Sequence, residues 1–411
     1  MRIAIVGGGI VGLATALNLQ RRGIPCSVYE LAPEVKELGV GITVLPHAMR
    51  ELAALGLQDP IENMGIANEE SCFFNRFGQL IYKEPRGRGA GYAYPEVGMH
   101  RGRLHRLLWD TTVERLGAGA VHTDNRCVGF TQQGDEVLLH FESTSTKTRR
   151  DDVRADLLIA CDGVNSAIRA QMRPGEGVVF TGINTWRGVT RGKPFLSGRS
   201  YVRVGSIKTA KIVIYPIIDD IDGEGRQLIN WTTEITSADA SRNDWNKPGR
   251  IEDFIGHYES WTFDWLDVPD LIRRSDVIFE YPMVDKDPID TWSVGRVTLA
   301  GDAAHPMYPR GSNGSAQGML DARALADALA RHGDNVAAVL GEYEQERVRK
   351  AADVVLTNRR TPPDFINIKV EELTGDRPFE RLDDFISQSE LRAMSDRYKQ
   401  VAGFSTAGLL P

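Results

Sequence analysis

GRVTLAGDAAHPMYPRGSNGSAQGMLD, residues 295–321, runs from a short apolar strand through a broken loop into a helix. Residues 296–300 alternate as a buried strand does, and Gly301-Asp302 end the strand. Pro306, Pro309, Gly311 and Gly314 then force an irregular loop before an apolar helix opens near Ser315. A strand therefore delivers an acid into a loop that finishes on a helix N-terminus. A carboxylate at Asp302 can accept hydrogen bonds from a polyol, and free backbone N–H groups at Gly314 and Ser315 favour an electron-rich or anionic group. The pair suits a flavin, with Asp302 on the ribityl hydroxyls and the amides on the pyrimidine end of the ring. Taken alone, the stretch is more simply an ordinary strand-turn-helix with a capping Asp.

The N-terminus changes that reading. Residues 2–6 are a β-branched run followed by Gly7-Gly8-Gly9-Ile10-Val11-Gly12, a helix through Arg22 and a second strand, residues 26–29, closed by Glu30. Gly7 suits the tight turn, Gly9 lets backbone approach a pyrophosphate, and Gly12 lets helix and strand pack closely. Glu30 stands where a carboxylate can accept both hydroxyls of an adenosine ribose. The preceding strand, the following helix and the distance to the acid together make this a dinucleotide-binding unit, open to NAD or FAD.

Three further stretches bear on that choice. Residues 39–44, GVGITV, are small enough for backbone to pass near a flat ligand, with Thr43 facing it, and residues 46–55 follow as an amphipathic helix. His100-Arg101-Gly102 opens a helix running to about Leu116, so Arg101 can reach a cofactor phosphate or ribityl oxygen. A fully apolar strand stops at Asp162-Gly163, with Asn165 or Ser166 capping the next helix and the segment continuing to Arg169. The strand-acid-cap unit thus occurs twice, far apart in the chain.

GxGxxG at Gly7, Gly9 and Gly12, DG at Asp162-Gly163 and GD at Gly301-Asp302, in that order and spacing, resemble the class A flavoprotein aromatic hydroxylases, the para-hydroxybenzoate hydroxylase family. The likeness covers nearly the whole chain. WRGVT from Trp186, Asn230-Trp231, YPMVDKDP from Tyr281 and Met307-Tyr308-Pro309 with Gly311, Asn313 and Gly314 are similar to the branch containing 5-methylphenazine-1-carboxylate monooxygenase. Ser312, Asn313 and Ala316 depart from the loop pattern common in the family, whereas Gly314 keeps it, which leaves the backbone-amide contacts to the ring.

The resemblance implies an α/β fold. A Rossmann-like FAD-binding domain of the GR2 type spans 1–176 and 291–360, an antiparallel β-sheet substrate domain is inserted at 177–290, and C-terminal helices occupy 361–411. It implies that Glu30, Arg101 and Asp302 contact FAD and that Asp162 serves both FAD and NAD(P)H. The reaction it implies consumes NADH or NADPH and dioxygen and hydroxylates an aromatic or N-heteroaromatic substrate, phenazine-like and carboxylated, through a flavin hydroperoxide, with or without decarboxylation. A flavin-dependent halogenase and a non-catalytic flavin redox sensor are the competing readings. For the halogenase, Trp261 and Trp265 before Val268-Pro269 have the wrong spacing.

Strand-like runs at 183–189, 211–217, 227–234 and 277–283 alternate as an antiparallel sheet with one wet face does, and residues 250–265 read as a helix or two on its other face. Trp186, Tyr215 and Trp231 are candidates to line a substrate pocket beneath it, with Met307 and Tyr308 shaping the cavity from the flavin loop. His305 and Tyr215 are the candidates for acid-base work, although a histidine bonded to backbone carbonyls also explains His305. His47 and His100 read as helix-terminal or surface groups. Helices are expected over 315–332, about 336–356 and 383–398, the last covering either the substrate mouth or a dimer seam.

Composition excludes other classes. With 411 residues and 42% hydrophobic content the chain can fill two cores, and its net charge of -7 is spread without a nucleic-acid stripe. Four cysteines form no CxxC, no metal-ligand cluster stands out, and no apolar run is long enough to span a bilayer. No signal peptide is expected, and the polar run 143–154 reads as a hairpin tip or loop. The expectation is a cytoplasmic enzyme, monomer or homodimer.

Overall fold

A computed structural model describes residues 1–37, 39–237 and 248–405. Its first strand, β1 (Ile3–Val6), is apolar at every position because it runs through the middle of a sheet covered on both faces. That sheet also holds β2 (Ser27–Tyr29), β6 (Val121–His122), β7 (Leu157–Ala160), β13 (Ser293–Val294) and β14 (Val297–Leu299), in the order β13-β14-β7-β1-β2-β6. All neighbours are parallel except the edge pair β13-β14. The helices α1 (Ile10–Arg21) and α5 (Gly314–His332) supply one cover, packing Leu13 and Leu17 with Met319 and Ala322. A 25-residue helix, α6 (Val336–Arg360), packs beside α5 on the same core, and its Tyr343 hydroxyl donates to the Leu299 carbonyl at 3.0 Å.

The second sheet has seven strands in the order β12-β8-β11-β10-β9-β4-β5. Five come from the central region: β8 (Val179–Gly192), β9 (Ser200–Ser206), β10 (Ala210–Ile218), β11 (Gln227–Thr236) and β12 (Ile278–Asp285). The other two, β4 (Glu70–Phe74) and β5 (Leu80–Pro85), precede residue 177 in the chain. β9 escaped the alternation test because all seven of its residues are buried, one face against the core and the other beneath the rest of the protein.

Register assigns the faces. Arg187 pairs with Thr232 and Thr232 with Val213, while Asn230 pairs with Tyr215, so these residues share one side. Trp186 and Trp231 point to the other. There they pack on Phe254 and form an apolar core with Val202, Ile212 and Ile214, and Trp231 donates its indole N–H to Thr190 at 3.1 Å. The pocket expectation for both tryptophans is therefore corrected. Side chains alternate across a strand, so Trp186 and its neighbour Arg187 stand on opposite sides of the sheet.

The helix or two expected over 250–265 on the sheet's other face are 3-10 rather than α in type. These residues close two 3-10 turns, Ile251–Asp253 and Ile255–His257, whose i to i+3 hydrogen bonds drop Phe254, Tyr258 and Trp261 in succession into that same core. In the tail, α7 (Phe365–Thr374) starts without a side-chain cap, and α8 (Gln388–Ala402) starts from a capping box at Ser387 and Glu390.

Candidate flavin and substrate site

Four loops leave the carboxyl ends of adjacent parallel strands and meet in one cleft. Gly7 follows β1, Glu30 follows β2, Asp162 follows β7, and Gly301-Asp302 follow β14. Such a crevice is where open α/β sheets take nucleotides.

At the first loop the three glycines divide the work as their spacing predicts. Gly7 has φ of +104°, and a Cβ there would lie 2.3 Å from the Cys161 carbonyl oxygen. A Cβ on Gly12 would lie 1.9 Å from the Gly7 carbonyl oxygen, whereas one on Gly9 would meet nothing within 4 Å. Gly9 thus faces open space at the start of α1. The Glu30 carboxylate turns back onto this loop and accepts from the N–H of Gly8 at 2.6 Å and of Ala32 at 2.8 Å.

At the far end Asp302 is walled in by protein yet open to the cleft; burial raises its pKa above the ordinary carboxylate value, and the charges of His305 and Arg101 oppose that rise. A Cβ on Gly314 would stand 3.8 Å from the Asp302 carboxylate. The acid and the start of α5 are therefore side by side. Asn313 gives that helix no side-chain cap, so the first-turn N–H groups at Gly314 and Ser315 are left for a ligand. Arg101, first residue of the helix α3 (Arg101–Leu116), lies within electrostatic reach of Asp302 and of Arg187 on the second sheet. Strand β3 (Gly41–Val44) carries Thr43, whose buried hydroxyl has no partner, and its Gly41 N–H donates to Asn230 at 2.7 Å.

This cradle fits FAD. It offers an open glycine turn with an acid at the adenosine end, an acid and free helix amides at the ring end, and unsatisfied buried polar atoms between them, Thr43 Oγ1 and one Asp162 oxygen included. The other Asp162 oxygen accepts from Ala167 N–H at 2.9 Å, and Ser166 caps the helix α4 (Ala167–Met172).

Behind the cleft lie supports that the motifs did not announce. Arg169, wholly buried, donates to the carbonyls of Ala303 at 3.0 Å and Ala304 at 2.6 Å and pairs with Glu176 at 2.6 Å, which ties the DG helix to the GD loop. Asp321 on α5 accepts from Gly301 N–H at 2.9 Å, from His305 Nε2 at 2.5 Å and from Arg347 Nε at 2.7 Å. His305 is therefore bound to a carboxylate rather than to backbone carbonyls, and its ring packs on Trp292. Met307 packs on Val354 and Val355 of α6, and Tyr308 on Ile183 and Met283 of the second sheet. Tyr398 of α8 accepts from Asn313 at 3.0 Å and donates to Asn358 at 2.8 Å, so the C-terminal helix holds the flavin loop.

His47 lies against the same loop and stands in the first turn of its helix, but it is not on the surface. It is 0% exposed at the start of α2 (Pro46–Ala54), stacks on Phe404 with centroids 5.2 Å apart, and neither ring nitrogen has a partner. Burial, then the Arg50 charge, lowers its pKa to about 3. An unfolded histidine takes up a proton near 6.5 and the folded one does not until about 3, so stability falls as pH drops through that window, by about 1.4 kcal/mol per unit at most. Between pH 6.5 and 5 the wild-type chain is expected to lose about 2 kcal/mol more than a His47→Leu variant in urea unfolding. Equal losses would show that His47 titrates normally.

Tyr215 stacks on Tyr201 at 4.9 Å on the flavin-facing side of the second sheet, and burial pushes its hydroxyl pKa up. No group of three or more His, Cys, Asp or Glu that could hold a metal occurs among the described residues.

Comparison with known proteins agrees with this geometry. The family described as FAD binding domain matches residues 1–200 and 280–358. Phenazine 1,6-dicarboxylic acid hydroxylase PhzS of Lysobacter antibioticus is 40% identical over 362 residues, 87% of this chain and 89% of the relative. 3-Amino-4-hydroxybenzoate 2-monooxygenase PtnB3 of Streptomyces platensis is 30% identical over 89% of this chain and 88% of its own. Among solved structures, Klebsiella pneumoniae HpxO complexed with FAD and uric acid superposes with a TM-score of 0.77 at 23% identity, covering 100% of this chain and 98% of that one.

Proposed function

The chain belongs to the FAD-binding class A aromatic hydroxylases, and on that premise we propose that it hydroxylates a fused N-heteroaromatic carboxylic acid of the phenazine type, using NADH or NADPH. The protein is an FAD-dependent aromatic monooxygenase. The observation that supports the finer substrate reading is the 40% identity, over most of both chains, to a hydroxylase of a phenazine dicarboxylic acid.

Bound FAD supplies hydride uptake from the nicotinamide and activation of dioxygen for transfer to the ring. The chain supplies the rest. The turn at Gly9 and the helix start at Gly314 would hold the cofactor at its two ends, and Asp302 would accept from its polyol. The sheet face carrying Tyr215, Val213 and Val189 presents apolar surface around Arg187 to a planar substrate and keeps water from the reacting centre. Trp261 and Trp265 lie with the apolar core behind the sheet, which leaves the halogenase reading without residues in the pocket. No helix among the described residues is long and apolar enough to cross a membrane.

The test is a panel of phenazine, quinoline, pyridine and phenol carboxylates scored for stimulated NADH and NADPH oxidation, with peroxide release measured alongside. Phenazine acids are expected to stimulate most, and mass spectrometry of the product separates hydroxylation alone from hydroxylation with loss of carbon dioxide. Stimulation that requires halide, or none with any aromatic, would overturn the proposal.

A further inference from the structure

Arg187 stands at the middle of the flavin-facing side of the second sheet without a counter-charge. No carboxylate lies within 4.0 Å of its guanidinium among the described residues, and none of its nitrogens makes a hydrogen bond there; its Nε is fully buried and unpartnered. Glu234, the acid nearest in effect, is already taken by Lys211 at 2.7 Å. The guanidinium instead lies over the Tyr281 ring, 5.2 Å from its centre. Protein surrounds Arg187, yet its side chain keeps some solvent contact, the signature of a group in the wall of a cavity. Burial, with Arg101 adding repulsion, lowers its pKa below the ordinary guanidinium value.

Leaving a desolvated cation unpaired is costly, and the fold could have avoided it with a methionine or leucine. The planar fork of a guanidinium matches a carboxylate at two points, and an aromatic ring beside it suits a flat acid. The other polar groups on this wall, Thr43 Oγ1 and Asn230 Nδ2, are also buried and unpartnered.

We propose that Arg187 is the specificity-determining anchor that binds the carboxylate of the aromatic acid substrate and orients its ring beneath the sheet. The inference rests on the proposed substrate class and names the residue that selects it. An acid then gains a partner that its amide lacks.

The test compares binding of three acid and amide pairs to FAD-loaded enzyme by the change in flavin absorbance: phenazine-1-carboxylate, quinoline-2-carboxylate and benzoate, each with its carboxamide. Wild type is expected to bind acids more tightly than amides. Arg187→Gln should weaken the acids roughly 10- to 100-fold while amides stay within about twofold, and Arg187→Lys should fall between because it keeps charge but loses the fork. Equal weakening of acids and amides in Arg187→Gln, or no acid preferred by wild type in any pair, overturns the anchor. Acid preference lost on Arg187→Gln with the quinoline or benzene pair, but no binding of the phenazine pair, supports the anchor and removes the phenazine reading alone.

Discussion

A Gly12→Val chain is expected to purify folded but colourless, with no FAD detectable in its visible spectrum. Even one carbon on Gly12 would sit 1.9 Å from the Gly7 carbonyl oxygen and 3.4 Å from the Cys161 side chain. The first obstacle is backbone in the tight turn, so no rotamer change relieves it; α1 must lift from β1 and carry Gly9 with it. The cradle faces a ligand only in its present position, where a Gly9 Cβ would have nothing within 4 Å. Repositioning a catalytic or binding element by an ångström is enough to lose it. Circular dichroism checks that the sheet survives, and a variant with FAD at full stoichiometry would refute the placement of the pyrophosphate.

Asp321→Ala should cost about 3–5 kcal/mol of stability, because it strips a wholly buried acceptor from a cation, a histidine and a backbone amide at once. Arg347 would keep only its bonds to Gln317 at 2.7 and 3.3 Å. The loss should reach the cofactor too, since the freed Gly301 N–H sits next to Asp302, so FAD dissociation should rise along with urea sensitivity. Asp321 has a pKa lowered to about 2 by His305 and Arg347 against the opposing effect of burial. A carboxylate depressed on folding contributes its full share above its unfolded pKa of about 3.9 and loses it as pH falls toward about 2. The gap between wild type and variant should therefore hold from neutral pH to about 5 and narrow below 4. A gap under about 1 kcal/mol at neutral pH would mean that the network does not support the loop.

Legibility in the sequence tracked how local each cause is. The tight turn at Gly7, the close packing at Gly12, the Ser166 cap, the strand ends at Asp162 and Asp302 and the start of α5 at Gly314 all depend on neighbours within a turn or two, and their spacing showed them. Arg187 and Asp321 did not show, because what distinguishes them is a missing or shared partner brought from another element. Asp321 looked like one polar residue in an apolar helix; its partners stand 16, 20 and 26 positions away. Trp186 and Trp231 misled because a strand tells which residues share a face but not which face meets the flavin. β9 lacks even that alternation, and Tyr398, 85 positions from Asn313, carries no motif of its own.

The strand order of the parallel sheet also has a consequence for biosynthesis. β1, which is made before every other strand of its sheet, is bordered by β7, about 150 residues later, and the sheet is completed past it by β14, ending at Leu299. Until translation has gone that far, the glycine turn stands beside an open edge, and the nascent chain must be shielded from aggregation at that edge. Loading with the prosthetic group is accordingly a late event in the life of each molecule, and expression hosts short of riboflavin should accumulate a finished but empty apoprotein.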